Sequence, residues 1–286
     1  MIMFDLLIAP FFEFVFLKRA LVASLSLACG CAPIGVLLVL RRMSLLGDAL
    51  SHAILPGVAM GYIFAGLSLA IMGAGGILAG LIVAFLATLV TRFTHLREDA
   101  SFVGFYLIAL AFGAVMVSLK GNSVDLIHIL FGDILSVNKA SLLMIAGIST
   151  TTLIVLAIIY RPLIIECFDP LFMRTIGGKG SIYHVIFMIL VVLNLVAAFQ
   201  ALGTLMSLGM IMLPAIAARF WAREVWSLFL IASGIALLSG YIGLIFSYHY
   251  VWPSGPAISL VAGGFYIVSL CFGYYGSLRQ AVLHPR

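Results

Sequence analysis

Charge is what this sequence has least of. Only 9% of its 286 residues are Asp, Glu, Lys or Arg, against 64% apolar, and soluble globular domains are not built on that balance. Cysteine is scarce as well: Cys29, Cys31, Cys167 and Cys271 sit in or beside apolar runs, where cysteine behaves as a small hydrophobe, and nothing suggests a disulfide framework. Cys29 and Cys31 point to different faces of a helix, which argues against a metal clamp. Catalytic signatures are missing too. Gly177-Gly178-Lys179 invites a phosphate-loop reading, but G-x-x-x-x-G-K needs glycine where Met173 stands. There is no H-E-x-x-H and no G-x-S-x-G, so no catalytic residue is assigned.

What the sequence has is long apolar runs. A helix needs about 20 apolar residues to cross a hydrocarbon layer of ~30 Å, and roughly nine segments qualify: 20–40, 50–68, 70–91, 101–119, 140–160, 182–202, 204–218, 226–247 and 256–277. The first continues too far after Lys18 and Arg19 for a signal peptide and is read as a retained span. The seventh is short and closely follows the sixth, so the expectation is an all-α polytopic membrane protein with roughly eight or nine crossings, residues 1–286 forming one domain. Placing the loop after the first segment on the cytoplasmic side leaves only Lys18, Arg19, Lys120 and Lys139 outside. The net charge of +5 is thereby explained by topology, and no nucleic-acid partner is implied.

Polar residues within this background stand out. In "RRMSLLGDALSHAILPG", Asp48 and His52 are four residues apart, so a helix puts both on one face where they can reach one ion. The alternative is a mere Asp–His ion pair, which also satisfies the need of an intramembrane carboxylate for a partner. Asp125, His128 and Asp133 belong to an outer interface, with metal delivery or a capped turn as the readings. His249 among Tyr248, Tyr250 and Trp252 has the composition of an aromatic belt. Asn194 and Gln200 suggest helix–helix hydrogen bonds or a pathway lining. His95 and His184 carry no assigned role. The connection "YRPLIIECFDPLFMRTIGGKG", 160–180, mixes charge with large apolar residues, as a short amphipathic helix facing lipid or a partner protein would.

The runs "GVLLVLRRMSLLGDALSHAILPGVAMGY", "HILFGDILSV", the 160–180 connection, "ALGTLMSLGMIMLPAIAARF" and "WPSGPAISLVAGGFYIV" occur in an order that resembles the membrane subunits of bacterial ABC importers for zinc, manganese or iron(II). The resemblance covers about residues 14–278. It implies a homodimeric permease of the cytoplasmic membrane, served by a cytoplasmic ABC ATPase and an extracytoplasmic metal-binding solute-binding protein. It implies no permanently bound cofactor, the divalent metal being cargo. A two-fold axis along the pore would present Asp48 and His52 twice, a set of two carboxylates and two imidazoles. Gly47, Pro56 and Gly57 would serve helix geometry near that axis. The 160–180 connection becomes the ATPase coupling segment, with Phe168, Asp169, Pro170 and Gly177 as its coupling positions. Gly203, Gly209 and Pro214 interrupt the seventh segment, which is expected at the pathway or dimer interface and to move. "LFGDIL" looks closer to the zinc branch than to the manganese branch, and imidazole and carboxylate suit both ions.

Two rivals remain. A stand-alone secondary metal-ion carrier would need its own coupling residues and often shows paired broken helices, and only one broken element, Gly203 to Pro214, is visible. An intramembrane metalloenzyme would need a further acid or base beside the metal, and no other Asp or Glu lies clearly within an apolar segment.

Overall fold

The computed structural model describes residues 9–66, 68–94, 96–120, 134–175, 177–178 and 180–275. These form α1 (Ala9–Glu13), α2 (Val15–Leu40), α3 (Ser44–Ala65), α4 (Leu69–Phe93), α5 (Glu98–Lys120), a 3-10 turn (Ile134–Ser136), α6 (Lys139–Phe168), α7 (Pro170–Thr175), α8 (Gly180–Leu202), α9 (Thr204–Ala218), α10 (Val225–Tyr250) and α11 (Ser254–Phe272), with no strand among the described residues. Hydrocarbon offers no water to pair backbone groups, so each apolar run satisfies its own amides as a helix. Seven of these helices are long and apolar enough to cross a membrane. The two other long elements are α3, which carries Asp48 and His52, and the 15-residue α9. The protein is a multi-pass, all-α membrane protein, as its apolar pattern predicts.

Burial separates an inner pair of helices from an outer set. Along α2, Leu27, Cys31, Ile34, Leu37 and Leu38 are fully buried, and α8 buries Phe187, Val191, Val192 and Val196 in the same core. The outer helices keep large apolar side chains exposed, such as Leu78, Ile82 and Phe85 on α4 and Ile154 and Ile158 on α6. That is the pattern of helices facing lipid. At mid-depth, buried Asn194 of α8 donates to Thr152 Oγ1 of α6 at 2.7 Å and to the Leu190 carbonyl at 2.8 Å. The helix–helix hydrogen bond expected of Asn194 is therefore present. Several serines and threonines, such as Ser26, Thr88, Thr150 and Ser239, bond back to the carbonyl four residues earlier, as Ser51 does to Gly47 at 2.8 Å, so that their hydroxyls need no partner in lipid.

The two ends of the bundle are distinct. At one, Phe14 packs on Tyr248, Tyr248 on His249 and Tyr250 on Trp252, and Ser254 Oγ accepts from the Ile134 amide at 3.3 Å. At the other, Arg41, Glu98, Cys167 and His184 meet, and the Tyr275 amide reaches the Phe220 carbonyl.

Boundaries differ from the sequence reading in several places: α3 starts at Ser44 rather than near 50, and α11 ends at Phe272 rather than near 277. Helix α2 starts at Val15, so Lys18 and Arg19 lie within it, and Lys18 reaches over the Phe12 ring at 5.8 Å. Helix α6 runs through Pro162 to Phe168, beyond the expected end near 160. Proline removes one backbone bond, but buried Leu163 and the contact of Arg41 with Cys167 hold the last two turns in place.

Candidate ion-binding face on α3

Helix α3 opens directly after the turn that ends α2, where the Met43 amide bonds the Leu38 carbonyl at 2.9 Å. One turn into it, His52 Nε2 lies 3.6 Å from Asp48 Oδ1. That distance is too long for a good hydrogen bond. The Asp48 side chain is 51% exposed and the His52 side chain 26%, so the pair sits on the flank of the protomer and opens away from it. The His52 ring stacks on Tyr106 of α5, with centroids 6.1 Å apart and planes 28° apart. Its Nδ1 is buried without a hydrogen-bond partner among the described residues. A ligating imidazole usually has its second nitrogen held by an acceptor; here the stacked Tyr106 fixes the ring instead, leaving Nε2 toward the carboxylate. Among the described residues no group of three or more His, Cys, Asp and Glu is placed to hold a metal ion. Asp48 and His52 thus place one carboxylate and one imidazole on one open side, and an ion held there would need donors from outside this set.

The residues expected to shape this region are engaged within the protomer. A Cβ on Gly47 would come within 2.7 Å of Leu208 Cδ1 and 3.0 Å of Met212 Cε, so α9 packs on α3 one residue from Asp48. A Cβ on Gly57 would overlap the Gly75 carbonyl oxygen, which marks the closest approach of α3 to α4. Pro56 faces Gly113 of α5, where a Cβ would lie 3.2 Å from the proline nitrogen. Gly203 separates α8 from α9 at φ 80° and ψ 170°, a conformation essentially restricted to glycine. Gly209 packs against Ser259 of α11, and buried Pro214 lies inside α9. The seventh segment is thus largely enclosed by its own chain and reaches α3 at Gly47.

In the 160–180 connection, Phe168 ends α6 and is 60% exposed. Asp169 accepts from the Phe172 amide at 2.9 Å and so caps α7, whose first residue is Pro170. Leu171 and Phe172 are exposed while Met173 is buried, its carbonyl bonded to the Gly178 amide at 2.9 Å. Gly177, at φ 71°, turns the chain toward α8. The short amphipathic helix predicted for this connection is α7, and its exposed apolar residues point off the bundle. Asp125, His128 and Asp133 lie outside the described residues. Tyr106 escaped sequence reasoning because nothing in the order of residues places α5 against α3, and His184, given no role there, proves to be engaged with Arg41 at the end of α2 that leads into α3.

Residues 13–273 match the family described as the ABC 3 transport family. The manganese import system permease protein ScaB of Streptococcus parasanguinis is 34% identical over 257 residues, covering 90% of each chain. The manganese transport system membrane protein MntC of Halalkalibacterium halodurans is 32% identical over 272 residues, 95% of this chain and 90% of that one. Among solved structures, PsaBC from Streptococcus pneumoniae in complex with Fab superposes with a TM-score of 0.83 at 30% identity, covering 97% of both chains.

Proposed function

The chain belongs to the ABC 3 transport family as a permease subunit rather than an enzyme, and on that premise we propose that it moves a divalent transition metal ion across the bacterial cytoplasmic membrane. The observation that carries the reading is the half-exposed Asp48–His52 pair on α3, two ligands short of a site. A second copy related by a two-fold axis at this flank supplies the same pair again, and two carboxylates with two imidazoles complete a four-ligand set. The ion is cargo, so the site must bind loosely enough to release it.

Both relatives named above carry manganese in their names, which favours manganese over the zinc expected from "LFGDIL". Oxygen and imidazole donors accept either ion, so the ligand set alone does not choose. Power comes from a separate ABC ATPase seated on α7, where Phe168, Leu171 and Phe172 offer an exposed apolar face beside the Asp169 cap. Metal reaches the opposite end from an extracytoplasmic binding protein. Reconstitution tests this division of labour. The chain alone in liposomes should take up no manganese or zinc, and addition of its ATPase, ATP and loaded binding protein should start uptake. Gradient-driven uptake by the chain alone would establish the secondary carrier instead.

A further inference from the structure

We propose that Arg41 is a positioning residue that transmits movement of α7 to the Asp48–His52 pair. The proposal rests on the transport reading above for its direction, while its test reads the position of α3 itself. Arg41 caps the end of α2 and sends its side chain inward. Its Nε donates to Cys167 Sγ at 3.0 Å, its Nη1 bonds His184 Nδ1 at 2.9 Å, and its guanidinium lies 4.6 Å from the centre of the Phe187 ring. Arginine has only donors, so His184 Nδ1 is the acceptor and its ring proton sits on Nε2. That nitrogen is 3.0 Å from Glu98 Oε1 in the first turn of α5. Arg41 therefore ties together the ends of α2, α6 and α8, and His184 extends the cluster to Glu98 of α5, whose Oε1 lies at ion-pair distance without a well-aligned hydrogen bond among the described residues.

Two arms lead from this node to the pair. Cys167 immediately precedes Phe168 and the Asp169 cap of α7, so a displaced α7 pulls on Arg41 through the last turn of α6. On the first arm, Arg41 is joined to α3 through Arg42, a non-glycine residue at φ 60°. Such a joint is strained and suits a hinge. On the second, Glu98 heads α5, which carries the Tyr106 ring stacked on His52.

The surroundings suit a moving part. Arg41 Nη2 is buried without an acceptor among the described residues. An open groove of about 560 Å³ borders the node, lined by Glu98, His184, Glu166 and Ser181 together with apolar residues of α4 and α8, among them the lipid-facing Phe85. Buried charged networks are weak stabilisers compared with apolar packing, so stability alone does not account for a node with a spare donor. Discrete hydrogen-bonded arrangements that can exchange are what coupling between distant sites requires.

The test uses the permease assembled with its ATPase and binding protein in proteoliposomes. Arg41→Lys keeps the charge but replaces the planar fork with one ammonium that cannot serve two acceptors in the same geometry. Co-purification and basal ATP hydrolysis should stay within about twofold of wild type, while uptake and its stimulation of hydrolysis fall about tenfold. Amide hydrogen exchange across residues 44–58 should respond to trapped ATP in the wild type and not in the variant. An unchanged response in Arg41→Lys overturns the proposal, as does a wild-type α3 that ignores nucleotide. If Arg41→Lys fails to assemble, His184→Gln decides: an unaltered response there overturns the proposal, and a lost response with basal hydrolysis intact supports it. Asp48→Asn tests the ion site separately, because its failure leaves the wild-type nucleotide response of α3 untouched.

Discussion

Replacing Asp48 by alanine separates an ion ligand from a helix-surface ion pair. With its side chain 51% exposed and its oxygen 3.6 Å from His52, Asp48 can gain little from pairing within the protomer: exposed pairs contribute about 0.2–1 kcal/mol and salt screens them. Alanine is also the better helix former, by a few tenths of a kcal/mol. Folding stability should therefore change by less than about 1 kcal/mol, a shift of a few degrees at most. The effect on ion binding is of another size. Loss of a group that merely supports a ligand costs about 10–100-fold in affinity, so removing the ligand itself, twice in the proposed dimer, should exceed about 100-fold, or about 2.8 kcal/mol at 1.4 kcal/mol per decade. Radioactive manganese and zinc uptake in cells, with melting and size-exclusion profiles of the purified complex, measures both quantities. Uptake within about twofold of wild type would refute the ligand assignment, and so would a loss of uptake fully explained by unfolding.

Three further outcomes follow from particular contacts. Phe168→Asp with Leu171→Asp should weaken co-purification with the ATPase, or leave hydrolysis running without uptake, while the membrane domain keeps its melting profile; normal metal-stimulated hydrolysis would contradict the docking role of α7. Gly57→Ala meets the Gly75 carbonyl, and overpacking of this kind costs about 1–3 kcal/mol, so the melting temperature should fall and uptake with it. Gly203→Ala forces a side chain into a backbone conformation at φ 80°, with a strain of about 1–3 kcal/mol that a denaturation series in detergent would register.

The fold was largely legible because hydrocarbon leaves the chain few options. Each of the apolar runs read from the sequence corresponds to a helix, including the short seventh one, α9 (Thr204–Ala218). Where the reading slipped, tertiary contacts overrode local signals: Pro162 did not end α6, because Leu163 and Cys167 are anchored on neighbouring helices. The pairing of Asp48 with His52 follows from helical spacing alone. Their exposure, and the support from Tyr106, depend on how α3 packs on α5, which spacing does not encode. The glycines illustrate the same limit. Gly57 is expected from the sequence to allow close approach near a two-fold axis, and the structure shows instead that the backbone it meets is Gly75 of the same chain. The Arg41 node was invisible for a simpler reason, since its contacts span 126 and 143 residues of sequence.

The most direct measurement is the number of ions held per chain. Purified permease, titrated with manganese(II) and read by equilibrium binding and electron paramagnetic resonance, should saturate at one ion for two chains, with nitrogen coupling to the metal that disappears in His52→Ala and binding that is lost in Asp48→Ala. One ion per chain, or a bound ion whose signal and affinity are indifferent to both substitutions, would contradict the account.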